Sequence, residues 1–221
     1  IIKATAGTGA SSSTLIVARG GKLNANGTAS QPIIMTSEAD DIQVGQTEGS
    51  ALNENVRGLW GGLLILGNAP CSFSGDVTEL QIEGIPASDP SGLYGGNDPA
   101  DNSGSITYVS IRHGGAEIGE GNEINGLTLG GVGTGTEIHH VEVVANVDDG
   151  IEFFGGSVNA SHLAVHSQGD DAFDIDQSYN GTITNIVGIA DSESDHAFEI
   201  DGPEGSWDGL FTIDGATMMG Y

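Results

Sequence analysis

The sequence predicts an all-β chain wound into a right-handed parallel β-helix with rungs of about 22–25 residues. Three observations carry that expectation. First, "NVDDGIEFFGG", "SQGDDAFDIDQ" and "SESDHAFEIDG" (146–156, 167–177, 192–202) are one phrase written three times. Second, the apolar residues around the first two copies recur at one offset. Ile138 and Ala160, Val141 and Leu163, Val143 and Val165, Ile151 and Phe173, and Phe153 and Ile175 are each 22 residues apart. Third, apolar and polar residues alternate inside each copy, as in Ile151/Phe153, Phe173/Ile175 and Phe198/Ile200, which is a strand period. A unit this short cannot bury its own apolar face, so the rungs must stack.

The rest of the chain follows in order. "STLIVARGGKLNANGT" and "QPIIMTS" read as strands of a first rung, with Asn26-Gly27 as a turn. "RGLWGGLLILGNAP" reads as a buried strand pair. Cys71–Gly104 is rich in Gly, Pro and Asp and reads as a loop excursion from the wall. "SITYVSIRHGG" opens the next rung, and "NEINGLTLGG" sets Leu127 against Ile151 at an offset of 24. "GTITNIVGIADSESDHAFEIDG" sets Ile186 against Leu163 at 23 and Phe198 against Phe173 at 25. Leucine-rich repeats have similar lengths, but their fixed Leu/Asn pattern is absent. Residues 1–221 read as one β-helix domain. The opening "IIK" and closing "TMMGY" lead to the expectation of a piece of a longer chain.

Composition narrows the function. The 221 residues include 37 Gly and only 5 Lys plus Arg, and the net charge is −26. Glycine at this level disfavours helices and suits turn-rich β structure. The charge argues against nucleic acid and anionic membrane surfaces, which need basic patches. No apolar run approaches the ~18 residues of a membrane span. Cys71 stands alone, so neither an internal disulfide nor a thiolate cluster is expected.

The in-register carboxylates are the main chemical signal. With Ile151, Phe173 and Phe198 inward, Glu152, Asp174 and Glu199 point outward on successive rungs. Asp148, Asp170 and Asp195 sit at the preceding turn, with Asp149 and Asp171 beside them. Stacked strands lie ~4.8 Å apart, and unit charges at ~5 Å repel by roughly 3 kcal/mol at an effective dielectric of 20. Solvent screening, shared protons or a bound hard cation would relieve this. Clustered Asp in oxygen-rich turns suits Ca²⁺. A solvated acidic face and proton-sharing catalysis stand as the alternatives.

Other residues carry weaker signals. Asp98, Asp101 and Asn102 in "NDPADNSG" form either a second calcium loop or a plain turn, the turn being favoured. His140 and His162 should stack on the outer wall with Asn185 near their column, where Zn or Ni is a minor alternative to simple stacking. Trp60 lies within an apolar strand and reads as core. Trp207 and Tyr94, in loops, are the candidates for contacting a glycan. Asn26, Asn159 and Asn180 begin N-x-[ST] sequons and read as turn residues.

"RGLWGGLLILGNAP", "YGGNDPADNSGSITYVSIRHGG", "NEINGLTLGGVGTGTEIHHVEVVANVDDGIEFFGGSVNASHLAV" and "GDDAFDID" resemble secreted or surface right-handed β-helix proteins of bacteria, built on the pectin-lyase-like solenoid. Many are predicted lipoproteins or substrates of outer-membrane secretion routes. The resemblance implies a fold and an address, extracellular or cell surface, with no activity attached. A looser similarity links "NVDDGIEF", "QGDDAFDI" and "SDHAFEI" to polygalacturonases. It implies Asp148 or Asp149, with Asp170 and Asp171, as acid and base, and His196 assisting. The Arg/Lys motif of those enzymes is missing, since no Arg or Lys follows Arg112. Pectate lyases fit less well, because they use an Arg or Lys base beside calcium.

The leading reading is a non-enzymatic extracellular or cell-surface module, structural, adhesive or glycan-contacting, stabilised by Ca²⁺ at Asp148, Asp149, Asp170, Asp171 and Asp195, with Glu152, Asp174 and Glu199 shaping the field. The alternatives are a polysaccharide-active glycoside hydrolase using Asp149, Asp170, Asp171 and His196, and a filament or surface-layer subunit that self-associates end to end through its strand edges.

Overall fold

The computed structural model describes residues 1–117 and 123–221. Asn122, which opens one of the repeat motifs, lies outside them. The strands in chain order are β1 (Ile2–Ala4), β2 (Thr14–Val17), β3 (Leu23–Asn26), β4 (Ile33–Ser37) and β5 (Gly62–Leu66), then β6 (Leu80–Gln81) and β7 (Leu93–Tyr94). The repeat region follows with β8 (Gly104–Arg112), β9 (Leu127–Gly130), β10 (Glu137–Val144), β11 (Ile151–Phe154), β12 (Ala160–His166), β13 (Phe173–Asp176), β14 (Thr182–Ile189), β15 (Phe198–Gly202) and β16 (Thr212–Met219). The described residues contain no α-helix, only three short 3₁₀ turns. None of their segments is a helix long and apolar enough to cross a membrane.

Each rung gives one long strand to one sheet and one short strand to another. The long sheet runs β1-β4-β8-β10-β12-β14-β16, with β3 also paired to β8, and the short sheet runs β15-β13-β11-β9-β5-β2. All pairs within these two sheets are parallel. This is a right-handed parallel β-helix, the hand that twisted parallel strands favour. The register is the one the repeat specifies: Val141 faces Leu163, Leu163 faces Ile186, Ile151 faces Phe173, and Phe173 faces Phe198.

The core follows from this register. Inward positions such as Ile106, Leu127, Ile138, Val141, Ile151, Phe153, Leu163, Phe173 and Ile175 form one buried cluster along the axis. Each such side chain contributes about 1.5–3 kcal/mol relative to exposure. Trp60 belongs to this core, 2% exposed, and its indole N–H donates to the Arg112 carbonyl at 2.7 Å.

Bends come from left-handed residues set in columns. Tyr108, His140, His162 and Asn185 have φ of 52°, 55°, 55° and 56°, and Gly215 completes the column at 79°. Each sits where the ladder register skips a residue. Asn and His tolerate this region better than most side chains, and Gly best. At the same level the first rung is cut in two. β3 pairs with the first half of β8 and β4 with the second half. The turn expected at Asn26-Gly27 lies between them, closed by Thr28 and Gln31.

Two readings of the sequence need correction. "RGLWGGLLILGNAP" holds a single buried strand, β5, not a pair. The Cys71–Gly104 excursion does leave the wall, but it folds back over the outer face of the short sheet. It carries the antiparallel β6–β7 pair. Its Phe73, Ile82, Ile85 and Tyr94 pack on Leu64, Leu66, Ile124 and Phe154 as a second apolar cluster. Leu64, Leu66 and Phe154 alternate with core-facing residues, so they would meet water if the excursion were not there.

Candidate functional site

The carboxylates gather at the edge of this cover. Asp148 and Asp149 lead into β11, and Asp170 and Asp171 lead into β13 one rung later. Oxygens of Asp148, Asp149 and Asp170 lie within 4.8 Å of one another, as do those of Asp149, Glu152 and Asp174. The two triads share Asp149. Glu152 and Asp174 are register partners on neighbouring strands. They point away from the core as expected, yet Glu152 is only 5% exposed. The excursion and Asn125 cover it, and the Asn125 amide donates to Glu152 Oε2.

Burial and like charge act together here. Burial, then Glu83 of the excursion and Asp170, push Asp148 up to about 7. Burial and the adjacent Asp148 push Asp149 up to about 9, against a lowering bond from the Asp171 N–H. Glu152 is raised well above the usual carboxylate range by burial and by Asp174. Asp174 and Asp170 are raised too, burial first in each. None of the salt bridges among the described residues brings Lys or Arg to this cluster. Two oxygens beside it, Asp174 Oδ1 and Asn125 Oδ1, are buried without a hydrogen-bond partner. Oxygen donors crowded in this way, with lone pairs unused, fit a hard cation such as Ca²⁺.

The second Asp of each doubled pair also has a structural task. Asp149 Oδ1 accepts the Asp171 backbone N–H at 3.0 Å, and Asp171 Oδ1 accepts the His196 N–H at 2.7 Å. Each carboxylate thus clamps the equivalent backbone position of the next rung. Spacing alone does not reveal this clamp: the 22-residue offset puts Asp149 and Asp171 on adjacent rungs without naming the donor that each carboxylate meets. Glu83 reaches the cluster from the excursion and carries no repeat signal, whereas Asn125 holds on the preceding rung the position of Asp149, at the same offset of 24 that pairs Leu127 with Ile151.

The remaining predicted residues fall elsewhere. Asp171 is fully buried, and its Oδ1 also lies 3.1 Å from His196 Nδ1. Glu199 is exposed, and a hydrogen bond to Asp171 followed by desolvation raises it to about 7. Asp195 is exposed beside His196, at 3.5 Å from Nε2, and it stands outside both triads. Asp195 and Asp171 together raise the His196 pKa. Tyr94 is corrected: it lies 2% exposed inside the excursion cluster, edge-on to Phe73 and Phe154, with its hydroxyl donating to Gln177 Oε1. A ring so enclosed offers no face to a sugar. Trp207 is half-buried, and its carbonyl accepts from the Ser72 and Ser178 hydroxyls. In the 97–104 loop, Asp98 accepts the Ala100 N–H, Asp101 accepts from Asn68 and Ser103, and Asn102 accepts the Gly104 N–H. Those bonds are what a turn needs.

Residues 1–217 match the family described as the pectate-lyase like beta helix domain. The chain belongs to that family. No curated protein and no solved structure matches it. The family membership covers almost the whole chain and accords with the stacked parallel sheets.

Proposed function

We propose that this β-helix is an extracellular or cell-surface module, structural, adhesive or glycan-contacting, that depends on Ca²⁺ held by its carboxylate ladder. The observation that carries the reading is the convergence of acidic oxygens from two consecutive rungs within 4.8 Å. Asp148, Asp149 and Asp170 would hold the ion, with Glu152 and Asp174 as the neighbouring oxygen donors. The ion would supply charge neutralisation and a cross-link between rungs. The chain's own part is to bring the oxygens together, and only the folded form does so. A ligand of the folded state stabilises it by about 2.7 kcal/mol at a hundredfold excess over its dissociation constant.

Asp149→Asn tests this, because Asp149 belongs to both triads and an Asn oxygen can still accept the Asp171 N–H. Chelation should lower the melting temperature of the unaltered protein at constant ionic strength, and millimolar Ca²⁺ should restore it. The variant should fold and lose that response. Equal rescue by NaCl, with no Ca²⁺ retained on dialysis, would reduce the ladder to a solvated acidic face.

A second reading, glycoside hydrolysis, draws on one observation. Asp149 holds its proton near neutral pH, as a general acid must, and the Asp171–His196 pair lies one rung away. The triad oxygens sit closer together than the ~5–9.5 Å that hydrolase carboxyl pairs use, which favours the cation.

A further inference from the structure

The adjacent histidines 139 and 140 form a separate cluster, on the long sheet rather than the short one. In an unbroken strand, neighbouring side chains point to opposite faces. Here Ile138 and Val141 both point into the core, 3% and 1% exposed. His140, between them, has a φ of 55°. That single left-handed residue resets the alternation, so His139 and His140 both project from the outer wall. Their Nδ1 atoms lie 2.9 Å apart.

The two rings are held from several sides. Tyr108 of the preceding rung stacks on His140 at 4.3 Å, and His162 of the next rung stacks at 4.4 Å and 4°. His139 crosses His140 at 84° and meets Tyr108 edge-on. Glu137 Oε1 lies 3.4 Å from His139 Nε2, and its other oxygen accepts the Ser105 hydroxyl. A carboxylate there favours the tautomer with its hydrogen on Nε2, which leaves Nδ1 with its lone pair.

We propose that His139 and His140 chelate one divalent transition-metal ion of tetragonal preference, Cu²⁺ fitting best, through their Nδ1 atoms, with Glu137 as positioning carboxylate and water completing the shell. Metal–imidazole bonds of about 2.0–2.1 Å put two ligands at a right angle about 2.9 Å apart, and Cu²⁺ and Ni²⁺ use right-angle pairs. A tetrahedral ion needs a wider bite, about 3.4 Å on the same bond length. His140 and His162 line a groove of about 840 Å³, with His139 outside its lining. The stacked pair His140/His162 is no chelate of its own, because parallel rings aim their lone pairs side by side.

The test is a Cu²⁺ titration at neutral pH in millimolar Ca²⁺, which occupies carboxylates, read by calorimetry and by electron paramagnetic resonance. The expected result is one equivalent with hyperfine coupling to two nitrogens. His139→Gln and His140→Gln should each weaken binding at least tenfold and leave one coupled nitrogen. Glu137→Gln should weaken it about 10- to 100-fold while both nitrogens stay coupled. His166→Gln, elsewhere on the same groove, should change nothing. Copper-free melting curves matching the parent exclude unfolding as the cause. Absence of a tight equivalent, or a spectrum unchanged in His139→Gln, would mean that the rings share only an N–H···N bond and would overturn the proposal.

Discussion

Glu152 and Glu199 occupy the same column of the ladder, two rungs apart, and live in different solvents. Glu152 lies under the 71–104 excursion at 5% exposure, whereas Glu199 faces water. Both point away from the core and both have carboxylate neighbours. The difference is the cover. Where Phe73, Ile82, Ile85 and Tyr94 close over the short sheet, water cannot screen the charges. The carboxyls then keep their protons or require a cation. At the open rung burial counts for less: Glu199 faces water, and its rise to about 7 comes first from its contact with Asp171. The excursion, more than the repeat, therefore turns an acidic face into a site.

Removing the cover should have the largest effect. Tyr94→Ala empties the centre of the excursion cluster and leaves Gln177 Oε1 without its hydroxyl. We expect a loss of about 3–5 kcal/mol in denaturant unfolding, and Glu152 titrating closer to an ordinary glutamate by NMR. A loss under 1 kcal/mol would mean that the cover contributes little.

The pH dependence sharpens the same contrast. Asp148 and Asp149 titrate at about 7 and about 9 in the folded protein, above the 3.8 of the free side chain. The folded state therefore binds more protons than the unfolded state across that interval. Stability falls wherever the folded state binds the excess. In chelator, the stabilisation from these protons should be complete below pH 4 and lost as pH rises through 7 and 9. Ca²⁺ should flatten the decline. Melting temperatures across pH 4–9 with and without Ca²⁺ check this, and a rise with pH in chelator would contradict it.

The smallest effect compares the two glutamates directly. Without calcium at pH 8, Glu152→Gln should stabilise by about 1–2 kcal/mol, since it removes a buried carboxyl that must either hold a proton against the solution pH or carry an unscreened charge. Glu199→Gln should stay within about 0.5 kcal/mol, because the site faces water and the Gln amide can still donate to Asp171. Equal effects at both positions would erase the distinction between covered and open rungs.

Much of the fold was legible because stacking obeys local arithmetic. The offsets of 22, 23, 24 and 25 residues named the partners of Ile151, Leu163, Leu127 and Phe173, and the ladder pairs those residues. The His140–His162 stack followed from the same count. The candidate site was legible in part. Asp148, Asp149, Asp170, Glu152 and Asp174 were named from their register. Burial of Glu152 and Tyr94 was not, because the excursion has no repeat to say where it lands. The clamp from Asp149 to the Asp171 N–H went unread, since repetition shows that a carboxylate recurs and not which donor it meets.

The sequence by itself determined the rung length, the parallel register, the inward apolar columns and the alignment of carboxylates one strand spacing apart. Each of these rests on side-chain alternation and on the need to bury one apolar face, and both are properties of neighbouring residues. Only the tertiary structure decided which carboxylates lie in water and which lie under Tyr94 and Ile82. It also decided that Glu83 joins the cluster, and that His139 turns outward beside His140. Solvation depends on what a distant segment covers, and contacts between segments unrelated by the repeat are set by packing in three dimensions.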